Sequence, residues 1–378
     1  MSREQRVLII GAGPAGLAAA IALRKAGFDT LVYERAADLR LDGTGLTLWP
    51  NGLAALTAFG AGDAVLARTL AAPGTSIRAR TGRVLSEVPG AVMDGIGGRG
   101  VAVHRAELLD ALAGMLGRDA VRFGSRCVDV RSERHCAVVT LDDGTETCAD
   151  VVIGADGIRS KVRFACGLDV PLQYAGFTVW RATIPFILPP CPGLLSLDGP
   201  DQFGIWRLPG DRVYWFASTQ AAEGAQVRGH SRPPDSFSEW HYPIAKLLAA
   251  TPTEQIMVTD IYDSDPLRAW YQGRVVLIGD AAHPSMPNMG QGTSQAFEDA
   301  AVLADCLSAE LEVGAALQSY QSRRRPRAQR AWSQARMLAR VGAWRNPFAC
   351  WLREKMIISA PKRAQLRQLK RLFTLENI

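Results

Sequence analysis

The chain has 378 residues, 48% of them hydrophobic and 21% charged, with a mean hydropathy of +0.01. That balance excludes a largely disordered chain, and no window approaches the ~20 uninterrupted apolar residues of a membrane-spanning helix. The net charge of +6 is uneven: residues 321–378 carry 15 Lys or Arg against 2 Asp or Glu, a net of +13, whereas residues 1–320 carry 28 against 35, a net of −7.

The first apolar run, Val7–Ile10, has a strand's length and no basic leader before it, so no signal peptide is expected. Seven cysteines without a C-x-x-C pair point to reduced thiols in a cytoplasmic protein and away from zinc or another metal. The spacing predicts a strand over Arg6–Ile10, a glycine turn, a helix over Pro14–Ala26 stopped by Gly27, and a strand over Thr30–Glu34. Gly11, Gly13 and Gly16 form G-x-G-x-x-G between that strand and that helix, the context that gives the pattern meaning. The first glycine permits the tight turn, the second lets the backbone approach a pyrophosphate, and the third lets helix and strand pack closely. Around Ala15 the helix N-terminus offers free N–H groups to the phosphates. Glu34, followed by Arg35, ends the second strand where a carboxylate can hold both ribose hydroxyls, and it disfavours a 2′-phosphate there. The turn alone leaves open whether a nicotinamide cofactor or a flavin sits in it.

Apolar spacing predicts helices over Asn51–Phe59 and Arg105–Leu116. The glycine cluster at 95–100 follows no strand and the one at 60–62 separates two helical stretches; both are expected to be plain loops, leaving one dinucleotide fold. Val138–Leu141 and Thr147–Ile153, around "DDG", predict a hairpin feeding another strand. Between about Val170 and Asp265 the pattern turns β-rich, with short turns separating "FTVWRATIPF", "FGIWRLPGD" and "RVYWFAST". A buried strand at Val275–Ile278 and a helix from about Thr293 to Leu311 then return to the first domain. The expected organisation is α/β: a discontinuous Rossmann-type domain over 1–169 and 266–320, an inserted β-rich substrate domain over 170–265, and basic C-terminal helices over 321–378.

Two further motifs, "GADGIRSKVR" (154–163) and "GRVVLIGDAAHPSMPNMGQGTSQAFEDA" (273–300), begin as strand ends that turn at glycine. With the N-terminal turn they resemble the three signatures of the single-component FAD-dependent aromatic hydroxylases, the p-hydroxybenzoate, salicylate and urate hydroxylase group. The resemblance implies the p-hydroxybenzoate hydroxylase-like fold and a tightly bound, non-covalent FAD in the N-terminal turn. It also implies NADH or NADPH as a donor that docks without a Rossmann fold of its own, and O2. Oxygen would pass to an aromatic or heteroaromatic substrate through a flavin C4a-hydroperoxide. It places Asp280 on the ribityl chain, Asp156 and Gly157 near the pyrophosphate, Arg105 near the phosphates, and Gly290, Gln291 and Gly292 against the pyrimidine edge. The segment through Ser160 and Arg163 is tied to FAD and the nicotinamide, and Pro287 lies beside the flavin. Independently of the resemblance, backbone N–H groups opening a helix near Thr293 would stabilise the negative charge of a reduced flavin by a few tenths to ~2 kcal/mol.

The β-rich insertion should wall the substrate, with Tyr174, Phe177, Trp180, Arg181, Trp206, Tyr214 and Trp215 as candidates. Arg181, on a strand among apolar neighbours, needs either a substrate oxygen or a protein carboxylate. His283, in its turn, reads as structural. A flavin halogenase would carry a second tryptophan where Ala182 stands. An isoprenoid epoxidase, or a flavin-carrying binding protein without turnover, remains a rival. The C-terminal segment also resembles that of hydroxylases acting on 2-alkyl-4-quinolones. Its basic charge reads either as a solvated face or as a peripheral contact with an anionic membrane; nothing suggests nucleic-acid binding.

Overall fold

A computed structural model describes residues 5–39, 43–224 and 231–374. Strand β1 (Arg6–Ile10) is buried from Val7 onward. Gly11, at φ +106°, turns the chain into helix α1 (Pro14–Lys25), where Pro14 takes a first-turn position that needs no N–H. Gly27, at φ +91°, follows that helix and feeds β2 (Asp29–Tyr33), which runs parallel to β1. Helix α2 (Pro50–Ala58), the hairpin β3 (Gly74–Ala79) and β4 (Val84–Pro89), and helix α3 (Arg105–Leu116) come next. Strand β5 (Val151–Gly154) then joins the other side of β1 and is followed by α4 (Lys161–Ala165).

The chain next builds β6 (Leu172–Pro185), β7 (Gly193–Asp198), β8 (Asp201–Leu208) and β9 (Arg212–Gln220), helix α5 (Ile244–Ala250), and β10 (Met257–Ser264). It returns through β11 (Val275–Leu277), parallel to β5, and closes with helices α6 (Gly292–Ala309), α7 (Val313–Gly342), α8 (Pro347–Ser359) and α9 (Lys362–Phe373).

Among the described residues the first sheet has the order Tyr271–Gln272, β11, β5, β1, β2, Val121–Arg122, and a larger sheet has the order β10, β6, β9, β8, β7, β3, β4. The fold is α/β, with a doubly connected dinucleotide domain and a second sheet facing it. Two expected boundaries move. The second sheet recruits β3 and β4 from before residue 170, because β7 pairs parallel with β3 (Gly193↔Thr75 to Leu197↔Ala79). Helix α7 also runs unbroken through residues 320 and 321, so the basic region begins inside a helix packed on α6.

The expectation of reduced thiols throughout gives way at one place. Cys136 and Cys148 form a disulfide, their Cα atoms 6.1 Å apart. They flank an antiparallel hairpin in which Cys148 faces Val138, so they are diagonal cross-strand neighbours. The other five cysteines are free. Among the described residues no helix is long and apolar enough to cross a membrane.

The packing of the second sheet follows from its pleat. Along β6, β8 and β9, side chains alternate between faces. Trp180, Ala182, Ile184, Phe203, Ile205, Val213, Trp215 and Ala217 form a buried cluster with α5. The alternate residues, including Phe177, Val179, Arg181, Trp206, Tyr214 and Phe216, line a cavity shared with the first domain.

Candidate functional site

The cavity occupies about 1070 Å³ and runs from the carboxyl ends of β1 and β2 to the face of the second sheet. Such an opening at the carboxyl ends of parallel strands is where open α/β sheets bind ligands. Its near end is the glycine turn. A Cβ on Gly11 would lie 2.6 Å from the Ala155 carbonyl oxygen, and one on Gly16 would overlap the Gly11 carbonyl oxygen, so both glycines hold the turn against β5 and α1. A Cβ on Gly13 would meet nothing within 4 Å, because Gly13 faces the cavity. No side chain caps α1, so the amides around Ala15 are left for a ligand. Glu34 lines the same end with Arg35, its carboxylate held by the backbone N–H groups of Ala12 and Ala36, both at 2.8 Å.

The middle of the cavity joins the two downstream motifs. Asp156 and Gly157 line it, but the Asp156 carboxylate accepts from Ser160 Oγ (2.6 Å) and the Lys161 amide (2.6 Å), which fixes the loop before α4. Arg163 is buried and does not face the cavity. It donates to Asp169 (3.0 Å), to the Ile158 carbonyl (2.8 Å) and to the Ala281 carbonyl (3.1 Å), tying the first motif to the second. Arg105 and Asp280 both line the cavity. Asp280 is exposed to this enclosed space. Enclosure raises its carboxyl above the usual range, against the lowering effect of the His283 and Arg105 charges.

Beyond them, Pro287, Gly290 and Gly292 form the loop that enters α6, whose N-terminus again has no side-chain cap. Gln291 enters the same loop by its backbone. Its side chain turns away from the cavity, where its Oε1 accepts from Asn51 Nδ2 (2.9 Å). Behind this loop lies a buried charged network. Asn51 also donates to Glu298 (2.7 Å), Arg327 pairs with Glu298 (2.6 Å), and Arg324 bridges Glu298 and Asp299, the latter at 2.8 Å. Asp299 accepts from the Gly279 amide (2.8 Å) and sits 2.6 Å from His283 Nε2. Burial pushes the Asp299 carboxyl up, but the His283 and Arg324 charges, with hydrogen bonds from His283 and Gly279, outweigh it and hold it below the usual range. His283 thus anchors the turn and does not line the cavity.

The far end is the second sheet. Phe177, Trp206, Tyr214 and Phe216 present rings, Leu195 and Ile261 add aliphatic surface, and Arg181 is the charged side chain on this wall. Among the described residues the Arg181 side chain makes no hydrogen bond or ion pair, although its charge acts on the Tyr214 phenol. Burial raises that phenol's pKa, and the Arg181 charge and a hydrogen bond with the Thr44 side chain oppose the rise. Three candidates lie elsewhere. Tyr174 donates to the Ala221 carbonyl (2.7 Å), Trp215 donates to Thr251 (3.0 Å), and Trp180 packs in the cluster on the opposite face.

Sequence reasoning missed the segment Thr44–Trp49, which also lines the cavity. A Cβ on Gly45 would overlap the Tyr214 ring, and Trp49 donates to the Met289 carbonyl (3.1 Å) while stacking on Phe373 with centroids 5.2 Å apart. Its signal was only a short apolar alternation, since its partners lie far along the chain.

The cavity suits a long ligand with a diphosphate at the glycine turn and a flat, electron-accepting group at the α6 N-terminus, with room for a second planar molecule against the sheet. The comparisons agree. Residues 4–335 match the family described as FAD binding domain. The chain is 38% identical over 356 residues to an aurachin C monooxygenase/isomerase from Stigmatella aurantiaca, covering 93% of each chain. It is 33% identical over 376 residues to a 2-heptyl-3-hydroxy-4(1H)-quinolone synthase from Pseudomonas aeruginosa, covering 97% of each. The crystal structure of Klebsiella pneumoniae HpxO complexed with FAD and uric acid superposes with a TM-score of 0.91 at 25% identity, covering 99% of this chain and 97% of that one.

Proposed function

The chain belongs to the FAD binding domain family of flavoprotein aromatic hydroxylases, and from that premise we propose that it is a monooxygenase inserting one atom of O2 into an apolar, bicyclic nitrogen heteroaromatic of the alkylquinolone kind. One observation carries the substrate assignment: the sheet wall is mainly aromatic and aliphatic, with Arg181 as its charged group and Thr75, Ser76, Gln202 and Ser218 as its neutral polar ones. A ring system stacked against Trp206 and Phe216 would bury its apolar surface, and a ring carbonyl or ring oxyanion would satisfy Arg181.

FAD, when bound, supplies hydride acceptance from NADH or NADPH and the activation of O2. The chain's own residues prepare the site for it. The backbone at Gly11, Gly13 and Ala15 holds the diphosphate, Glu34 the ribose hydroxyls, and Asp280 a hydroxyl of the linking chain. The uncapped amides at Gly292 stabilise negative charge, and the loop through Pro287 shapes the meeting point of ligand and substrate. The sheet wall excludes water, and Arg181 stabilises negative charge on the substrate oxygen as the ring is attacked. The reaction takes one NAD(P)H, one O2 and one proton, and returns hydroxylated product, NAD(P)+ and water.

The test is mass spectrometry of products formed from 2-heptyl-4-quinolone, urate and 4-hydroxybenzoate with purified holoenzyme, both nicotinamides and isotopically labelled O2. One labelled oxygen in the quinolone is expected. Labelled urate or hydroxybenzoate with an untouched quinolone would overturn the substrate class, and nicotinamide-independent labelling would overturn the electron donor.

A further inference from the structure

Helix α8 is built inside out. Its side toward the protein carries polar groups. The Arg353 guanidinium is buried and donates to the Val341 and Gly342 carbonyls at 3.3 and 3.2 Å, Glu354 pairs with Arg83, and Cys350 Sγ donates to the Trp344 carbonyl. Its outward side carries Phe348 (70% exposed), Trp351 (52%), Leu352, Met356 (55%) and Ile358. Phe348 lies three and four residues from Trp351 and Leu352, Met356 four from Leu352, and Ile358 two turns beyond Trp351, so they form one stripe. Phe348 and Trp351 stack with centroids 5.6 Å apart, and the Lys355 ammonium lies 5.7 Å from the Trp351 ring centre. An exposed aromatic and aliphatic stripe, flanked by the exposed Lys355, on a helix whose Arg353 turns inward is an interaction surface.

The next helix supplies the sign of the partner. In α9, Leu366, Leu369, Leu372 and Phe373 turn inward, while Lys362, Arg363, Arg367, Lys370 and Arg371 are exposed, with no acidic residue on the helix. The body of the chain is net negative and the tail net positive, so a second copy would meet this surface with its acidic face or repel it with an identical one.

We propose that α8 and α9 form a docking surface for an anionic phospholipid bilayer. The α8 stripe enters the headgroup region, with Trp351 and Phe348 at the depth where aromatic rings settle, and the α9 cations rest on lipid phosphates. The attachment is peripheral and reversible, and it does not depend on which substrate the cavity takes.

The test uses full-length, FAD-loaded protein and co-sedimentation with vesicles of phosphatidylcholine containing about 30% phosphatidylglycerol, beside pure phosphatidylcholine vesicles. Wild-type protein should pellet with the anionic vesicles and release at about 1 M salt, where the screening length falls to ~3 Å. The pairs Phe348→Ser/Trp351→Ser and Arg363→Gln/Arg367→Gln should each weaken partitioning on the order of tenfold or more, with flavin content and nicotinamide oxidation unchanged. Absence of pelleting, or pelleting that either pair leaves intact, would overturn the proposal. So would a wild-type dimer, seen by light scattering, that Phe348→Ser/Trp351→Ser converts to monomer without any lipid binding, because a second copy would then be the occupant.

Discussion

Substituting Gly13 by valine separates ligand binding from folding. Gly13 has φ −74° and an extended ψ, a conformation valine accepts, and the new side chain would project into the cavity with no protein atom within 4 Å of its Cβ. The apoprotein should therefore keep its stability, or gain about 0.4–1 kcal/mol from a less flexible unfolded chain. The diphosphate, however, loses its close approach to the backbone. Forfeiting two hydrogen bonds to a charged group, at about 1.5–3 kcal/mol each, predicts a rise in the FAD Kd of roughly 10² to 10⁴. Gly16→Ala is the control, because its Cβ would overlap the Gly11 carbonyl oxygen and force α1 from β1, costing about 3 kcal/mol or more in folding stability. The assay pairs the visible flavin absorbance of purified protein and FAD titration of apoprotein with thermal melts in the absence of FAD. A yellow, stoichiometrically loaded Gly13→Val would refute the reasoning, as would a Gly13→Val apoprotein destabilised as much as Gly16→Ala.

Asp280→Asn should lower FAD affinity while leaving the apo fold intact; unchanged affinity in a titration would remove its assigned role. Because the folded pKa of Asp280 is raised, its ionisation costs stability as pH climbs through the carboxylate range. Apo Asp280→Asn should accordingly melt above wild type near pH 7 and match it near pH 3, below both carboxylate pKa values. Arg181→Met should raise the substrate KM and divert nicotinamide oxidation toward hydrogen peroxide, with FAD content unaltered; unchanged coupling between nicotinamide consumed and product formed would count against its place at the substrate. Arg324→Met removes the buried cation between Glu298 and Asp299, leaving Glu298 to Arg327 and Asp299 to His283, and chemical denaturation should show a loss of about 3 kcal/mol. Burial pushes the Cys127 thiol up to about 12 and the Cys166 thiol to about 11, with the neighbouring Asp156 and Asp129 carboxylates adding to the rise. Both should resist iodoacetamide near pH 8 until the chain unfolds, as peptide mapping of the alkylated protein would reveal.

The parts of the site that could be read in the sequence are those made by contiguous residues. The strand, turn and helix around Gly11–Gly16 carry their own logic, since each glycine answers a steric demand set within a few residues or at one neighbouring strand end. The same holds for the turn at Gly279 and Asp280, and for the alternation in "WRATIP" and "RVYWFAST". What escaped was made by distance. Strand β3 pairs with β7 more than a hundred residues later and carries β4 with it at the sheet's edge, and nothing local distinguishes the two from a hairpin of the first domain. Arg324 sits in "SRRRPRAQR", a run that reads as a solvated face, yet one of its arginines is buried between Glu298 and Asp299 from the preceding helix. Gln291 lies between two glycines that line the cavity, so only the helix entry decides that its side chain points to Asn51. The Tyr174, Trp180 and Trp215 rings were indistinguishable by composition from those that do line the cavity; the strand pleat and the neighbouring loops sorted them.

That pleat divides the second sheet into two inheritances. On β6, β8 and β9 the residues that hold the sheet to α5 and those that face the cavity alternate along the same strands. A lineage can therefore rewrite Phe177, Val179, Arg181, Trp206, Tyr214 or Phe216 one at a time and change what it recognises without disturbing the packed layer behind. An insertion or deletion of a single residue is different, because it exchanges the two faces at once and spoils both. Diversification of this chamber should proceed by point substitution at every second position, at constant strand length.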